Sequence, residues 1–377
     1  MNALYAFSGD PITKGHIDLI ERAYRLFSNL TIGIGVNPEK KYTFTLEERL
    51  DMVRHCTKHL PNIKIVSYSG LLSDFVYENN IDIVVRGIRN SKDLNDEYNL
   101  HLACKSQGMH FEIVPLFTAP ELSHVSSSVV KAMTKEQGKL IPFVPMYVKQ
   151  KLEERMLGQY IVSVTGTIGA GKSYITEKFV ELGKSKGIEV HNIDLDKISH
   201  DILSTLQEPK YIELRKNIIK TFGDSVANID GTINRKALGE IVFNDVSKLQ
   251  ILDDLMQGPI EERTRREMYG KKGLILINAA LLLEKNLLHY SNNRILIISV
   301  NEEKQRERLV KRGLTEEQIT RRISSQLGND EKIDLAQKVI DTEKEGYIWT
   351  FDSSDEKTES IEEMFETLLK DIDYPWS

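Results

Sequence analysis

Two stretches of this 377-residue chain have the residue types and spacing to hold phosphate groups. The first is Ser8-Gly9-Asp10-Pro11-Ile12-Thr13-Lys14-Gly15-His16, directly after the apolar run Ala3–Phe7. The second is Gly166-Thr167-Ile168-Gly169-Ala170-Gly171-Lys172-Ser173, directly after Tyr160–Val164. Each reads as a strand, a glycine-bearing turn and a helix start. Such a turn aims unpaired backbone N–H groups and the positive end of a helix at an anion. In the first, Asp10-Pro11 makes a turn and Gly15 lets a ligand approach the backbone closely. His16 falls in the first helical turn, where it can donate a hydrogen bond to a phosphate oxygen as charge builds in a transition state.

The second stretch fits GxxxxGK[ST]. The pattern arises by chance in a chain of this length with a probability of about one per cent, and its place between strand and helix lowers that further. Backbone N–H groups of Gly169, Ala170, Gly171, Lys172 and Ser173 would cradle phosphates, with Tyr174 next in the helix. Lys172 would neutralise β/γ oxygens, and the Ser173 hydroxyl would reach Mg²⁺. Ile193-Asp194-Leu195-Asp196 ends the following strand, where a carboxylate can take a proton from an acceptor hydroxyl. Asp194 is the favoured base, although either aspartate has the alternative of capping a helix. Gln305, Arg308 and Arg312 follow another strand on a helix. Arginines four apart share a helical face, so they could close over a transferring phosphoryl group as a lid, or be ordinary exposed helix charges.

The elements around these stretches alternate. Ala3–Phe7, Leu30–Val36, Ile63–Val66, Ile81–Val85 and Phe111–Leu116 read as buried strands. Helical patterns lie near Ile17–Phe27, Leu46–Lys58, Leu71–Asn79 and Leu94–Gln107, and Thr45 with Glu48 has capping-box spacing. Lys40 and Lys41 follow the second strand, Arg86-Gly87-Ile88-Arg89 the fourth, and Ser126-Ser127-Ser128 the fifth. All fall at carboxyl ends of parallel strands, where open α/β sheets bind ligands, although the lysines could be only a solvated loop pair. Met146–Leu157 reads as a closing helix with Gly158 as its C-cap. The pattern restarts with strands Tyr160–Val164, Leu274–Ile277 and Ile295–Val300, and Ser199–Tyr269 reads mostly as helices. Ile361, Met364, Phe365, Leu368 and Leu369 share one helix face. The expectation is an α/β chain of two domains, residues 1–157 and 158–377. The first is a Rossmann-like nucleotidyltransferase fold. The second is a P-loop kinase fold with a helical insertion and a lid.

Composition is that of a globular protein, 40% hydrophobic and 28% charged. The net charge of −6, with bases dispersed among acids, argues against a nucleic-acid partner. No apolar run reaches membrane-spanning length, and no room for a signal or transit peptide precedes the first strand. Two cysteines, Cys56 and Cys104, read as free thiols, so a cytoplasmic setting is expected. His55, His59, His101, His110, His191 and His200 form no metal-ligand constellation. Tyr374-Pro375-Trp376 reads as terminal packing.

Ser8–His16 resembles the T/HxGH signature of the nucleotidyltransferase superfamily. Asn37–Lys41, Phe44–Arg49, Val85–Arg89 and Val125–Lys131 together resemble bacterial-type phosphopantetheine adenylyltransferase over residues 1–157. That resemblance implies adenylyl transfer from ATP to 4′-phosphopantetheine, giving dephospho-coenzyme A and pyrophosphate by in-line attack without an enzyme nucleophile. It implies that Ser8, Lys40, Leu72 and Arg86 hold phosphopantetheine. ATP would be held by Ser8, Gly9, His16, Gly87, Ile88, Arg89, Glu97, and by Leu122, Ser123, His124, Val125, Ser126, Ser127 and Ser128. His16, Lys40 and Arg89 would carry the chemistry. The family usually has Pro-Gly before the Thr/Ser position and Phe after it, where this chain has Ala6, Phe7 and Gly9. Its common tryptophan near the adenine loop is Leu122 here.

Residues 159–341 resemble dephospho-coenzyme A kinase through the P-loop, Phe222-Gly223-Asp224, Asp230–Arg235, Ile241-Val242-Phe243 and Gly313–Glu317. A usual Pro-Leu-Leu-Phe-Glu is Ala280-Leu281-Leu282-Leu283-Glu284 here, closer to the kinase half of eukaryotic coenzyme A synthase. A His-Pro pair is Gly258-Pro259, and a late Ala-Asp pair is Ala336-Gln337. The resemblance implies phosphorylation of dephospho-coenzyme A to coenzyme A with Mg²⁺ and ATP, using Lys172, Asp194, Arg308 and Arg312. Two alternatives remain: another adenylyltransferase joined to another kinase, or one active half beside a nucleotide-sensing or assembly module. Adenylyltransferases of the resembling type are multimeric, commonly hexamers, so a homo-oligomer through the first domain is expected.

Overall fold

The computed structural model describes every residue except 107–110, 243–244, 325, 356 and 376–377. Gln107, His110, Phe243 and Trp376, named above, therefore lie outside the described residues. The chain divides into two units, Met1–Gly158 and Gln159–Ser377.

The first unit is built on five parallel strands, β1 Asn2–Phe7, β2 Asn29–Val36, β3 Lys64–Ser69, β4 Ile83–Ile88 and β5 Glu112–Phe117. Their order is β3-β2-β1-β4-β5. The chain winds outward from β1 to β3, then returns to place β4 on the other side of β1. Ligand crevices open at such a reversal, beyond the strand carboxyl ends. Side chains alternate between faces along β1, as a period of two requires. Ala3 and Tyr5 pack in one cluster with Ile20, Ala23, Met52 and Val53, while Leu4 and Ala6 pack on the other with Val76, Val84 and Phe111.

Two strands run three residues beyond the sequence reading. β3 continues to Ser69 instead of ending at Val66. β4 runs to Ile88 instead of ending at Val85, because Arg86, Gly87 and Ile88 pair with Pro115, Leu116 and Phe117. Arg86 and Gly87 interrupt the apolar pattern but not the backbone ladder. The expected capping box is present, with Glu48 N–H donating to Thr45 Oγ1 and Thr45 N–H donating to Glu48. The closing helix Met146–Leu152 continues as a π-helical turn, Glu153–Leu157, and stops at Gly158 with φ +65°.

The second unit has β6 Gln159–Gly166, β7 Val190–Asp194, β8 Gly273–Asn278, β9 Arg294–Ser299 and β10 Tyr347–Asp352, all parallel, in the order β10-β9-β6-β8-β7. All six residues of β8 are buried, as in a sheet covered on both faces. Four helices lie between β7 and β8: Leu195–Leu203, Pro209–Phe222, Arg235–Val242 and Val246–Met268. The edge strand β10 had no counterpart in the sequence reading. Only Trp349 within it is buried, so no apolar run marks it. Among the described residues no helix is long and apolar enough to cross a membrane.

The last helix, Thr358–Asp371, buries Ile361, Phe365, Leu368 and Leu369. Phe365 lies 5.1 Å, centroid to centroid, from Phe179 on the helix Lys172–Ser185 that begins at the glycine-rich turn. Removing that ring leaves a cavity behind the phosphate-binding helix. Phe365→Ala is expected to cost about 3–5 kcal/mol, read as a lower urea midpoint for Trp349 fluorescence. An unchanged midpoint would mean that this helix does not stabilise the second unit.

Candidate active sites

In the first unit, the turn after β1 is fastened from three sides. Asp10 is 1% exposed, and a carboxylate so buried needs donors. It accepts Thr43 N–H at 3.1 Å, Phe44 N–H at 3.0 Å and the Lys131 ammonium at 2.6 Å. Asp10 thus ties the segment after β2 and the helix Ser127–Lys135 to one point. Ser127 Oγ donates to Pro11 O at 2.8 Å. Arg49, also 1% exposed, donates to Ser8 O at 2.7 Å and Gly35 O at 3.2 Å and lies 3.9 Å over the Tyr42 ring. The N-termini of helices Lys14–Leu26 and Ser127–Lys135 are therefore held beside the same turn. Both positive helix ends favour an anion there.

His16 has a fixed tautomer. Thr13 N–H donates to its Nδ1 at 3.0 Å, and the Thr13 hydroxyl lies 2.9 Å from the same nitrogen. Because a backbone N–H can only donate, Nδ1 is the acceptor and the neutral ring carries its proton on Nε2. Burial, then the charge of Arg89, holds its pKa down to about 4. The Phe7 ring lies 4.7 Å from the imidazole. A neutral Nε2–H donor beside two helix N-termini is suited to a phosphate oxygen.

The other expected residues of this unit fall into distinct groups. Arg86 makes a two-pronged pair with Glu97 at 2.6 Å on each side and also donates to Ala6 O at 3.0 Å. Arg89 pairs with Asp93 at 2.8 Å. Lys40 is exposed, 5.5 Å from the Tyr42 ring. Leu72 begins the helix Leu72–Glu78 and packs toward Leu4 and Ala6. Packing narrows two assignments. The Ile88 and Val125 side chains are core, at 1% and 4% exposure, so only their main chain can face a ligand. Gly87 is also needed for packing, because a Cβ there would lie 2.3 Å from Leu19 Cδ1.

The Leu122–Ser128 stretch is likewise not one loop. Leu122 ends the 3-10 turn Pro120–Leu122, Ser123 Oγ donates to Pro120 O, and His124 stands edge-on to Phe143 at 5.6 Å. Ser126 caps the helix by accepting Val129 N–H at 3.2 Å, and Ser127 is bound to Pro11. Of the triple serine, Ser128 is the exposed member.

In the second unit, Gly169 and Gly171 adopt φ +79° and +86°, which turns the loop's N–H groups inward. Lys172 Nζ donates to Gly166 O at 3.0 Å. Burial lowers the Lys172 pKa, with Lys332 and Arg312 lowering it further against the opposing charges of Asp196 and Asp194. Ser173 and Tyr174 are exposed, whereas Ala170 is wholly buried. Asp194 is the N-cap of the helix Leu195–Leu203, accepting Lys197 N–H at 2.9 Å. Asp196 reaches across instead, accepting Ala280 N–H at 3.2 Å. Its carboxyl pKa is raised by burial and by Asp194.

The lid reading needs correction at two positions. Gln305 donates to Thr167 Oγ1 at 3.2 Å and Ile168 O at 2.7 Å. Arg308 donates to Gly169 O at 3.1 Å and to Ser353 O at 2.7 Å. Both brace the loop through its carbonyls instead of closing over a ligand. Arg312, at the C-cap of helix Glu302–Lys311, is the lid candidate whose charge acts on Lys172.

A cytidylyltransferase-like family model matches residues 8–133, and the dephospho-CoA kinase family model matches residues 160–346. A phosphopantetheine adenylyltransferase of Carboxydothermus hydrogenoformans is 44% identical over 153 residues, 41% of this chain and 94% of that protein. One of Clostridium perfringens is 36% identical over 154 residues, again 41% and 94%. The chain belongs to the phosphopantetheine adenylyltransferase family. It joins that family's fold to a dephospho-CoA kinase domain.

Sequence reasoning passed over several residues that build the adenylyltransferase site. Asp10 was read only as a turn former, and Thr13, Arg49 and Lys131 were given no role. For Thr13 a signal existed: it stands three residues before His16, the capping-box spacing already used for Thr45 and Glu48. The bonds of Asp10 to residues 33 to 121 positions away have no such local signature.

The depressed His16 pKa has a consequence for stability. In the unfolded chain this histidine takes a proton near 6.5, but folded it stays neutral down to about 4. Between those values the unfolded chain binds more protons. The contribution is therefore present above pH 6.5 and lost as the pH falls toward 4. His16→Gln is expected to flatten the fall of the first unit's urea midpoint across that window. A variant with the wild-type acid slope would show that His16 does not titrate this way.

Proposed function

We propose that this chain is a bifunctional enzyme for the last two steps of coenzyme A synthesis. One observation carries the reading. Each unit has its own complete phosphate-binding turn, the first with a neutral Nε2–H donor at His16 and the second with Lys172 inside a glycine-rich loop.

In the first step, a phosphate oxygen of 4′-phosphopantetheine attacks the α-phosphorus of ATP in line. The bond to the bridging oxygen breaks and pyrophosphate leaves. No protein nucleophile is needed, so catalysis rests on positioning and charge stabilisation. His16 Nε2–H, Lys40, Arg89 and the two helix N-termini meet the developing charge. Arg86 and Ser8 receive phosphopantetheine, and the pairs Arg86–Glu97 and Arg89–Asp93 hold the guanidinium groups until anions arrive.

In the second step, the ribose 3′-hydroxyl of dephospho-coenzyme A attacks the γ-phosphorus of a second ATP. The hydroxyl proton passes to a carboxylate and ADP leaves. Asp196 is proposed over Asp194: each accepts one backbone N–H, but Asp194 caps its own helix, whereas Asp196 reaches across to the segment after β8, with its charge acting on Lys172. The exposed Ser173 hydroxyl and the two aspartates are hard oxygen donors of the kind Mg²⁺ takes. No group of three or more His, Cys, Asp or Glu gathers among the described residues, which fits a cation that arrives largely on nucleotide phosphates. Mg²⁺ would supply charge neutralisation between β- and γ-oxygens.

Added ATP and 4′-phosphopantetheine are expected to yield dephospho-coenzyme A, then coenzyme A, when products are resolved by chromatography. Asp196→Asn should lower phosphorylation of added dephospho-coenzyme A about a thousandfold, with Asp194→Asn the milder change. The reverse order would return the base to Asp194, and absence of either product would defeat the bifunctional reading.

The enzyme is further proposed to be a cytoplasmic homo-oligomer assembled through its first unit. The helix Ser91–Ser106 spans sixteen residues and buries none of them. Leu94, Tyr98 and Leu102, at i, i+4 and i+8, are 42%, 60% and 48% exposed. An apolar stripe on a helix normally meets a partner, and a second copy supplies one in a multimer. Sedimentation should find a species larger than the 43.1 kDa chain, shifted to monomer by Leu94→Glu with Leu102→Glu. A wild-type monomer at micromolar concentration would overturn this.

A further inference from the structure

The kinase unit contains a buried ion pair with no place in the reaction so far. Lys332, on the helix Asn329–Glu343, is 0% exposed. Its ammonium donates to Glu284 Oε1 at 2.6 Å and to Ala280 O at 3.0 Å. Thr165, buried at the end of β6, donates its hydroxyl to the same carbonyl at 3.3 Å. The other side of residue 280 faces the site, where Ala280 N–H donates to Asp196 Oδ2. Residue 280 is therefore clamped at its carbonyl by two donors and presents its N–H to the proposed base.

Burying an ammonium and a carboxylate is expensive, and such a pair is a weak source of stability. Its geometric effect here is specific. Ala279 N–H still donates to Val164 O at 3.1 Å, and beyond that bond the orientation of residue 280 decides where its N–H points.

We propose that Lys332, held by Glu284, is a positioning residue for phosphoryl transfer, acting through the clamped Ala280 to orient the Asp196 carboxylate. The inference rests on the reading of Asp196 as base. The N–H holds Oδ2 of that carboxylate in one direction. The other charged groups facing Asp196 are Asp194 before it, Lys172 of the glycine-rich loop and Arg235 at the start of the helix Arg235–Val242. Changing residue 280 leaves these charges in place, whereas the Lys332 charge acts on Lys172, so Lys332→Met is read beside Glu284→Gln and Lys332→Arg.

The test uses the full-length chain, with ATP and added dephospho-coenzyme A, and follows ADP. Ala280→Pro removes the donor and fixes the backbone at that residue. It should lower kcat about tenfold, the scale of a misplaced reacting group, with KM for ATP unchanged. Lys332→Met should lower kcat about ten- to a hundredfold, the scale of a misplaced reacting group, again with KM for ATP unchanged, and Lys332→Arg should restore part of it. Trp349 fluorescence reports folding of each variant. Should Lys332→Met fail to fold, Ala280→Pro and Glu284→Gln decide alone. Wild-type kcat in those variants would overturn the positioning role. Asp196→Asn separates the two claims. Its loss of activity beside a silent Ala280→Pro sinks only the present inference, whereas an active Asp196→Asn sinks the base itself.

Discussion

A parallel strand that feeds directly into a helix leaves N–H groups without backbone partners, and both units are organised around such a turn. The unpaired donors exist because a helix cannot satisfy its own first turn, and the strand order puts them at the reversal of the sheet. The remaining requirement is to keep the turn in place. In the adenylyltransferase unit a buried carboxylate, Asp10, and a buried guanidinium, Arg49, do so from opposite sides. In the kinase unit Arg308 and Gln305 grip loop carbonyls. Different side chains meet the same constraint: Arg49, Gln305 and Arg308 hold turn carbonyls, Asp10 accepts N–H groups from the segment after β2, and Gln326 accepts Ile168 N–H.

The cations differ in how they wait. Arg86 and Arg89 are each paired with a carboxylate one helical turn or more along the chain, and Lys172 rests on Gly166 O. Exposed pairs contribute only about 0–1 kcal/mol. An arriving phosphate can therefore displace Asp93 from Arg89 at small cost. The Arg86–Glu97 pair is more enclosed, about one-fifth exposed on either side, and its two-pronged geometry is harder to break. This asymmetry suits Arg86 to orientation and Arg89 to answering charge that appears during reaction.

Local pattern and long-range geometry explain what the sequence made legible. The P-loop, the Ser8–His16 turn and most strands are contiguous signals, so their type and place could be read directly. The end of β4 was misjudged because a ladder to β5, not an apolar run, carries Arg86–Ile88. β10 escaped because only one of its side chains is buried. Arginines four apart suggested a lid, but which carbonyls Arg308 meets depends on Ser353, 45 residues away. Position after a strand favoured Asp194 over Asp196 in the sequence. The contact that distinguishes Asp196, with Ala280, lies 84 residues along the chain and leaves no local signal.

The Phe7–Gly9 exchange shows how such geometry can absorb a departure from a family pattern. A Cβ at position 9 would lie 3.3 Å from Ile34 Cδ1 and 3.7 Å from the Phe7 ring, and its φ of +63° already disfavours a side chain. The space beside residue 9 is thus filled from residue 7. The same Phe7 ring stands against His16 and, on its other flank, 5.3 Å from Tyr5. One ring does two things: it closes the gap left by a glycine and removes water from the imidazole, which helps keep that ring neutral. Restoring a large residue at position 9 while keeping Phe7 would overfill the pocket, and trimming Phe7 alone would leave His16 wetter. Residues 7 and 9 are neighbours in space, so substitutions at the two positions are expected to couple.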